Sequence, residues 1–174
     1  MPLTGEEAVV RKSIVVRAPI ARAWRVFVEQ METWWPATHH IGNTPFEAIF
    51  VEPRVGGRWY ERNVEGVQCD WGKVLVWDPP QKVCFSWHVG PGHDQPDWKF
   101  DPDPSKASEV EFSFIGEGPS ATRINLEHRC LERHGEGYEQ LVALFEGPGA
   151  WVGVLDSYAR IVEGNGAIAE GAAI

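Results

Sequence analysis

The sequence predicts an α+β domain in which antiparallel strands pack their apolar face against helices gathered on one side. Three observations lead there. Alternating or β-branched segments separated by turn residues fill most of positions 46–129. Helical periodicity is confined to 20–30 and 137–163. The chain has 174 residues, 43% hydrophobic and 24% charged, which suits one packed domain. No internal repeat interrupts it. The reading is an N-terminal arm at 1–8, a single domain at 9–163, and a flexible tail "GNGAIAEGAAI" at 164–174.

"VVRKSIVVRA" (9–18) alternates and is β-branched, so it reads as a strand, and Ala18-Pro19 ends it. Ile20, Trp24, Phe27 and Val28 then share one face of a helix over 20–30. "METWWPATHHIG" (31–42) reads as a short second helix stopped by Pro36 and a loop closing a cavity mouth. Trp34 or Trp35 would be a wall ring, with at most one of His39 and His40 facing inward. "FEAIFVE" is a strand, and Gly56-Gly57 makes a tight turn before "RWYER". The two faces of "RWYER" offer Arg58, Tyr60 and Arg62, or Trp59, Glu61 and Asn63. Either can point inward.

"CDWGKVLVWD" and "KVCFSWHV" form a hairpin around "DPPQ". Residues 90–107 are rich in Pro, Asp and Gly and read as a long loop, a solvated excursion or a lid. In "SEVEFSFIG" the side chains of Val110, Phe112 and Phe114 share a face. In "ATRINLEHRCL" Thr122, Ile124, Leu126, His128 and Cys130 do so. The segment 137–163 is helical, with Leu141, Leu144 and Phe145 as one stripe and Trp151, Leu155, Tyr158 and Val162 as another. "EGPGAW" breaks it at Pro148. A curved sheet gripping such a helix leaves a cleft between them.

The pattern "VRAPIARAWRVFVE" resembles the opening of the START-like, or SRPBCC, superfamily. "EPRVGGRWYER", "WGKVLVWDPPQKVCFSW", "TRINLEHRCLE" and "GAWVGVLDSYARIVE" resemble the subgroup related to the C-terminal domain of activators of HSP 90 ATPase. The resemblance spans roughly 9–163. It implies the helix-grip (birch-pollen-allergen-like) fold: about seven antiparallel strands around a long C-terminal helix, with two short helices closing one end. It also implies a hydrophobic ligand in the cavity between helix and sheet. Superfamily members include lipid carriers, polyketide cyclases and resistance proteins, so fold alone does not set function. The co-chaperone role of the named activators depends on a further N-terminal domain that 174 residues do not accommodate. A chaperone-interacting module is therefore an alternative rather than the first reading.

A net charge of −9 and a pI near 5.1 argue against nucleic acid, whose binding rests on Lys and Arg neutralising phosphates. Cys69, Cys84 and Cys130 are odd in number and lack CxxC spacing, as expected of thiols in a reducing cytoplasm. No signal peptide or membrane-spanning run is visible. The six histidines show no metal-ligand spacing, so neither a metal nor another cofactor is expected. Cys84 reads as a buried thiol.

The expected partner is a hydrophobic small molecule. The expected cavity wall comprises Trp24, Trp35, Tyr60, Trp87, Phe112, Phe114, His128, Trp151 and Leu155. The enzyme alternative is acid–base chemistry of the polyketide cyclase type. For it His128, in phase with Ile124 and Leu126, and a buried Glu61 are the candidates. Trp71, Leu75 and Trp77 share the phase of Lys73. If that face is solvated, an exposed tryptophan pair would favour a homodimer.

Overall fold

The computed structural model describes residues 8–41, 44–91 and 98–173, with backbone alone at 91, 98 and 165–173. The arm at 1–8, apart from Ala8, and the tip of the 90–107 loop lie outside the described residues. The chain runs β1 (Val10–Val16), α1 (Ile20–Glu29), α2 (Met31–Trp34), β2 (Phe46–Val51), β3 (Arg58–Asn63), β4 (Gln68–Asp78) and β5 (Lys82–Trp87). There follow β6 (Val89–Pro91), β7 (Trp98–Phe100), β8 (Ser108–Gly116), β9 (Thr122–Arg129), α3 (Tyr138–Glu146) and α4 (Gly153–Ala173).

Seven strands form one antiparallel sheet in the order β1-β9-β8-β5-β4-β3-β2. The two halves of the C-terminal helix lie in its concave face, which is the helix-grip arrangement. The long loop is not wholly irregular, because β6 and β7 pair as a small ribbon within it. The C-terminal helix breaks where Pro148 predicts, with Ala150 in a non-helical conformation between α3 and α4. Its backbone stays helical to Ala173, through the segment that composition marks as a tail.

α1 shows why the helices stay on one side. Ala23, Trp24, Val26, Phe27 and Val28 are buried while Arg25 is exposed, so a single stripe faces the sheet. Two hydrogen bonds then tie the helices together. Tyr158 donates its hydroxyl to the Ala23 carbonyl at 2.6 Å, and Ser157 donates to the Trp34 carbonyl at 2.6 Å. Burial pushes the Tyr158 phenol up from its ordinary value, as befits an uncharged anchor in the core.

β4 departs from the alternation its sequence suggests. Its register shifts between Trp59 and Tyr60 on the β3 side and between Val74 and Val76 on the β5 side. Each bulge inserts one residue and reverses the side-chain phase. Trp71 and Val74 are therefore both buried, Lys73 and Leu75 are exposed, and Trp77 turns in to meet Trp24 at 5.2 Å. The expected exposed tryptophan pair is thus absent, and Trp71 belongs to the interior. Gly72 makes the first bulge possible, because a Cβ there would overlap the Ser86 carbonyl.

Candidate functional site

Where the sheet and the kinked helix part, a cleft of about 290 Å³ opens. Its walls are Trp35 at the end of α2, Trp71 on β4, Trp87 on β5, Phe145 on α3, and Trp151 and Val154 at the kink and the start of α4. Thr38, His39, His40, Ile41 and Leu144 border its rim. Both histidines of the tandem pair reach it, where adjacency predicted at most one. The segment after Pro36 is irregular, so the alternation argument does not apply there.

The rings contact one another closely. Trp35 lies 4.9 Å from Trp71 and 5.9 Å from Trp151, and Trp87 lies 5.4 Å from Trp151. Their indole N–H groups are all consumed by the protein. Trp35 donates to the His39 carbonyl at 2.9 Å, Trp71 to Glu61 Oε1 at 2.9 Å, Trp87 to the Val89 carbonyl at 2.6 Å, and Trp151 to His128 Nδ1 at 3.1 Å. Each ring is therefore locked in orientation, and the cleft presents π-faces and carbon edges rather than donors. Trp34 is not a wall ring. It is buried and donates to the Val26 carbonyl at 3.1 Å, within the core beneath α1.

Of the side chains expected at the wall, Trp35, Trp87 and Trp151 meet there. Trp24, Phe112, Phe114 and Leu155 are buried but stand behind it. Phe112 backs Trp151 at 5.9 Å, and Trp24 packs on Phe114 at 5.2 Å. Tyr60 is on the other side of the sheet, where its ring stacks on Phe50 at 5.0 Å under the Arg58 guanidinium. The inward face of β3 is Trp59, Glu61 and Asn63, all buried. The arginines on the other face keep their charge in solvent, which decides the choice the sequence leaves open.

His128 faces inward but lies one layer too deep to touch a ligand. It is fully buried, stacked on Phe145 at 4.9 Å and covered by Trp151. Both ring nitrogens are used, since Nε2 bonds the Ser108 hydroxyl at 2.8 Å. Burial, reinforced by nearby His134, holds its pKa well below the usual imidazole range. The inward run of β9 stops there, because Cys130 leaves the ladder with φ +62°. Cys84 is buried, and its thiol is pushed up to about 12, mainly by that burial, so it is a poor nucleophile.

Glu61 is 0% exposed. Its Oε1 accepts from the Ile41 backbone N–H at 2.7 Å and from Trp71, so one carboxylate oxygen holds both a wall ring and part of the rim. Alternation alone hides Trp71. The signal for it is the glycine that follows, since an isolated glycine inside a strand marks a bulge. Ser108 and His134 also escape sequence reasoning. Ser108 reaches His128 across the β8–β9 pairing, and His134 joins them through the turn after β9. Among the described residues no group of three or more His, Cys, Asp or Glu side chains is placed to hold a metal. No helix there is long and apolar enough to cross a membrane.

The family model for the activator of Hsp90 ATPase homolog 1-like protein matches residues 17–159. The chain belongs to this family. No protein of curated function matches it significantly. Among solved structures, this family member is similar to an anthrahydroquino-γ-pyrone synthase, at 35% identity and TM-score 0.61 over 88% of this chain and 96% of that one. It also resembles the self-sacrificing resistance protein CalC from Micromonospora echinospora, at 24% identity and TM-score 0.64 over 90% and 95%. A protein from Nitrosomonas europaea shares the fold at 14% identity, with TM-score 0.63 over 95% and 99%. The family match and the fold shared with the 35% identical synthase support a ligand-binding or cyclase class for this activator-like chain.

Proposed function

We propose that the cleft binds a flat, largely apolar aromatic molecule of the polycyclic polyketide kind. The observation that carries this is the set of four tryptophans whose N–H groups all point into the protein, leaving ring faces for the ligand. Such walls favour stacking over hydrogen-bond readout. The volume lies near the lower end of the usual ligand-pocket range of about 300–1,000 Å³, which suits a molecule of about three fused rings. The 35% identical synthase, named for an anthrahydroquino-γ-pyrone, supports the same ligand class.

The test is a titration with anthraquinone followed by tryptophan fluorescence, with native mass spectrometry of the purified protein as a second readout. Quenching at roughly micromolar Kd, weakened about tenfold in Trp35→Leu, is the expected result. Absence of saturable quenching would sink the proposal. Acid–base catalysis through His128 has no support in this geometry, because its nitrogens are satisfied and its ring is covered. A chaperone-interacting role is supported by the family name alone.

A further inference from the structure

We infer that the depression beside the β6–β7 ribbon is a second subsite continuous with the cleft, and that it takes an uncharged, hydroxyl-rich appendage, a sugar, carried by the aromatic ligand. The inference rests on the reading of the cleft as an aromatic site and extends the ligand beyond it. The depression holds about 590 Å³, inside the usual ligand-pocket range of about 300–1,000 Å³.

Two elements border both spaces. On β6, Val89 lines the cleft and the next residue, Gly90, lines the depression. On α3, Phe145 lines the cleft, Leu141 lines the depression, and Leu144 lines both. The spaces therefore meet at Leu144, which is 50% exposed. A molecule that crosses from one to the other takes this apolar side chain out of water.

Their chemistry differs. The cleft offers ring faces, whereas Lys99, Lys106, Asp101 and Glu136 border the depression. Among the described residues none of these four forms an ion pair, although such pairs are frequent elsewhere on the surface. His134 also borders it. Its Nε2 bonds the Ser108 hydroxyl, and its other ring nitrogen has no hydrogen bond among the described residues. Two charges of each sign select neither an anion nor a cation. A hydroxyl satisfies both, accepting from a lysine and donating to a carboxylate. Hydrogen bonds with one charged partner are the stronger kind.

Three probes test this at neutral pH by tryptophan quenching: 2-methoxyanthraquinone, the 2-O-glucoside of 2-hydroxyanthraquinone, and anthraquinone-2-sulfonate. Wild type should bind the glucoside at least fivefold more tightly than either of the others. A Cβ at Gly90 meets open space, so Gly90→Leu adds bulk beside its β7 partner Lys99 without overlap. It should bring the glucoside to the level of the methoxy compound. Lys106→Ala combined with Glu136→Ala, both exposed, should at least halve the preference. Equal binding of glucoside and methoxy compound by wild type overturns the inference and leaves the aromatic reading standing. So does tighter binding of the sulfonate than of the glucoside, or a glucoside preference that survives in the variants. If Gly90→Leu fails to fold, the alanine pair decides. If no probe binds wild type, the aromatic reading of the cleft falls, and this inference with it.

Discussion

Trp151 donates its indole N–H to Nδ1 of His128 at 3.1 Å, and that bond sets the direction of a buried hydrogen-bond chain. Nδ1 must be an acceptor, so neutral His128 carries its proton on Nε2. That proton is donated to the Ser108 hydroxyl, which lies 2.7 Å from His134 Nε2 and donates to it in turn. His134 is left with its proton on Nδ1. It borders a second, larger depression of about 590 Å³ beside the β6–β7 ribbon and α3, lined by charges of both signs. Nitrogen-15 NMR of the imidazoles should find the Nε2–H tautomer at His128 and the Nδ1–H tautomer at His134. The reverse assignment at His128 would mean that Trp151 is not held as described.

The same chain makes stability fall in mild acid. Burial, followed by the charge of His88 and opposed by Asp101, lowers the His134 pKa from 6.5 to about 4, and burial holds His128 well below the usual imidazole range too. Above pH 6.5 both are neutral in the folded and unfolded states and contribute no pH dependence. Below it the unfolded chain takes up protons that the folded chain refuses. Each group then costs up to about 1.4 kcal/mol per pH unit, for His134 until pH reaches about 4. The urea midpoint should drop between pH 6.5 and 4.5. His128→Gln with His134→Gln should flatten that drop relative to wild type. An unchanged slope would contradict the burial of neutral imidazoles.

Trp151 has two separable roles. Trp151→Phe keeps a ring in the wall but leaves His128 Nδ1 without its donor, at a cost of about 1–3 kcal/mol. Trp151→Ala removes the ring as well and should cost about 3–5 kcal/mol. Guanidinium unfolding measures both. If Phe proves as costly as Ala, the ring volume contributes little and the hydrogen bond dominates.

Glycine positions differ by what surrounds them. Gly72→Ala puts a methyl group into the Ser86 backbone and should destabilise by roughly 3 kcal/mol or more, or prevent folding. Gly66→Ala meets open space and is penalised only by its φ of +84°, about 1 kcal/mol. Comparing the two melting temperatures checks the first bulge of β4 directly. Equal shifts would indicate that Trp71 and Val74 reach the interior without the close approach of β4 to β5.

Local periodicity made much of the fold legible. Trp35, Trp87 and Trp151 could be placed at the cleft because Pro36 stops α2, "KVCFSW" alternates, and the late helical stripe resumes at Trp151. Trp71 could not, since strict alternation places it with Lys73 and the first bulge of β4 reverses that phase. The facing of β3 was undecidable locally, because both of its faces carry one aromatic ring and charged or polar groups. The sides of Tyr60 and Glu61 were decided only when the neighbouring strands were in place. His128 was read in the right phase but at the wrong depth, as phase says nothing about which layer of a core a side chain occupies.

The sequence by itself thus determined the elements, their order, the family and the aromatic character of the interior, because each is written in residue spacings within a single segment. Only the tertiary structure decided which rings border open space, that Glu61 keeps one oxygen bare behind them, and that two histidines and a serine form a directed chain beneath Trp151. Those relations join residues separated by up to more than a hundred positions, as with Trp35 and Trp151. They are set by strand register, two bulges and a helix kink, none of which leaves a periodic trace in the segment that carries it.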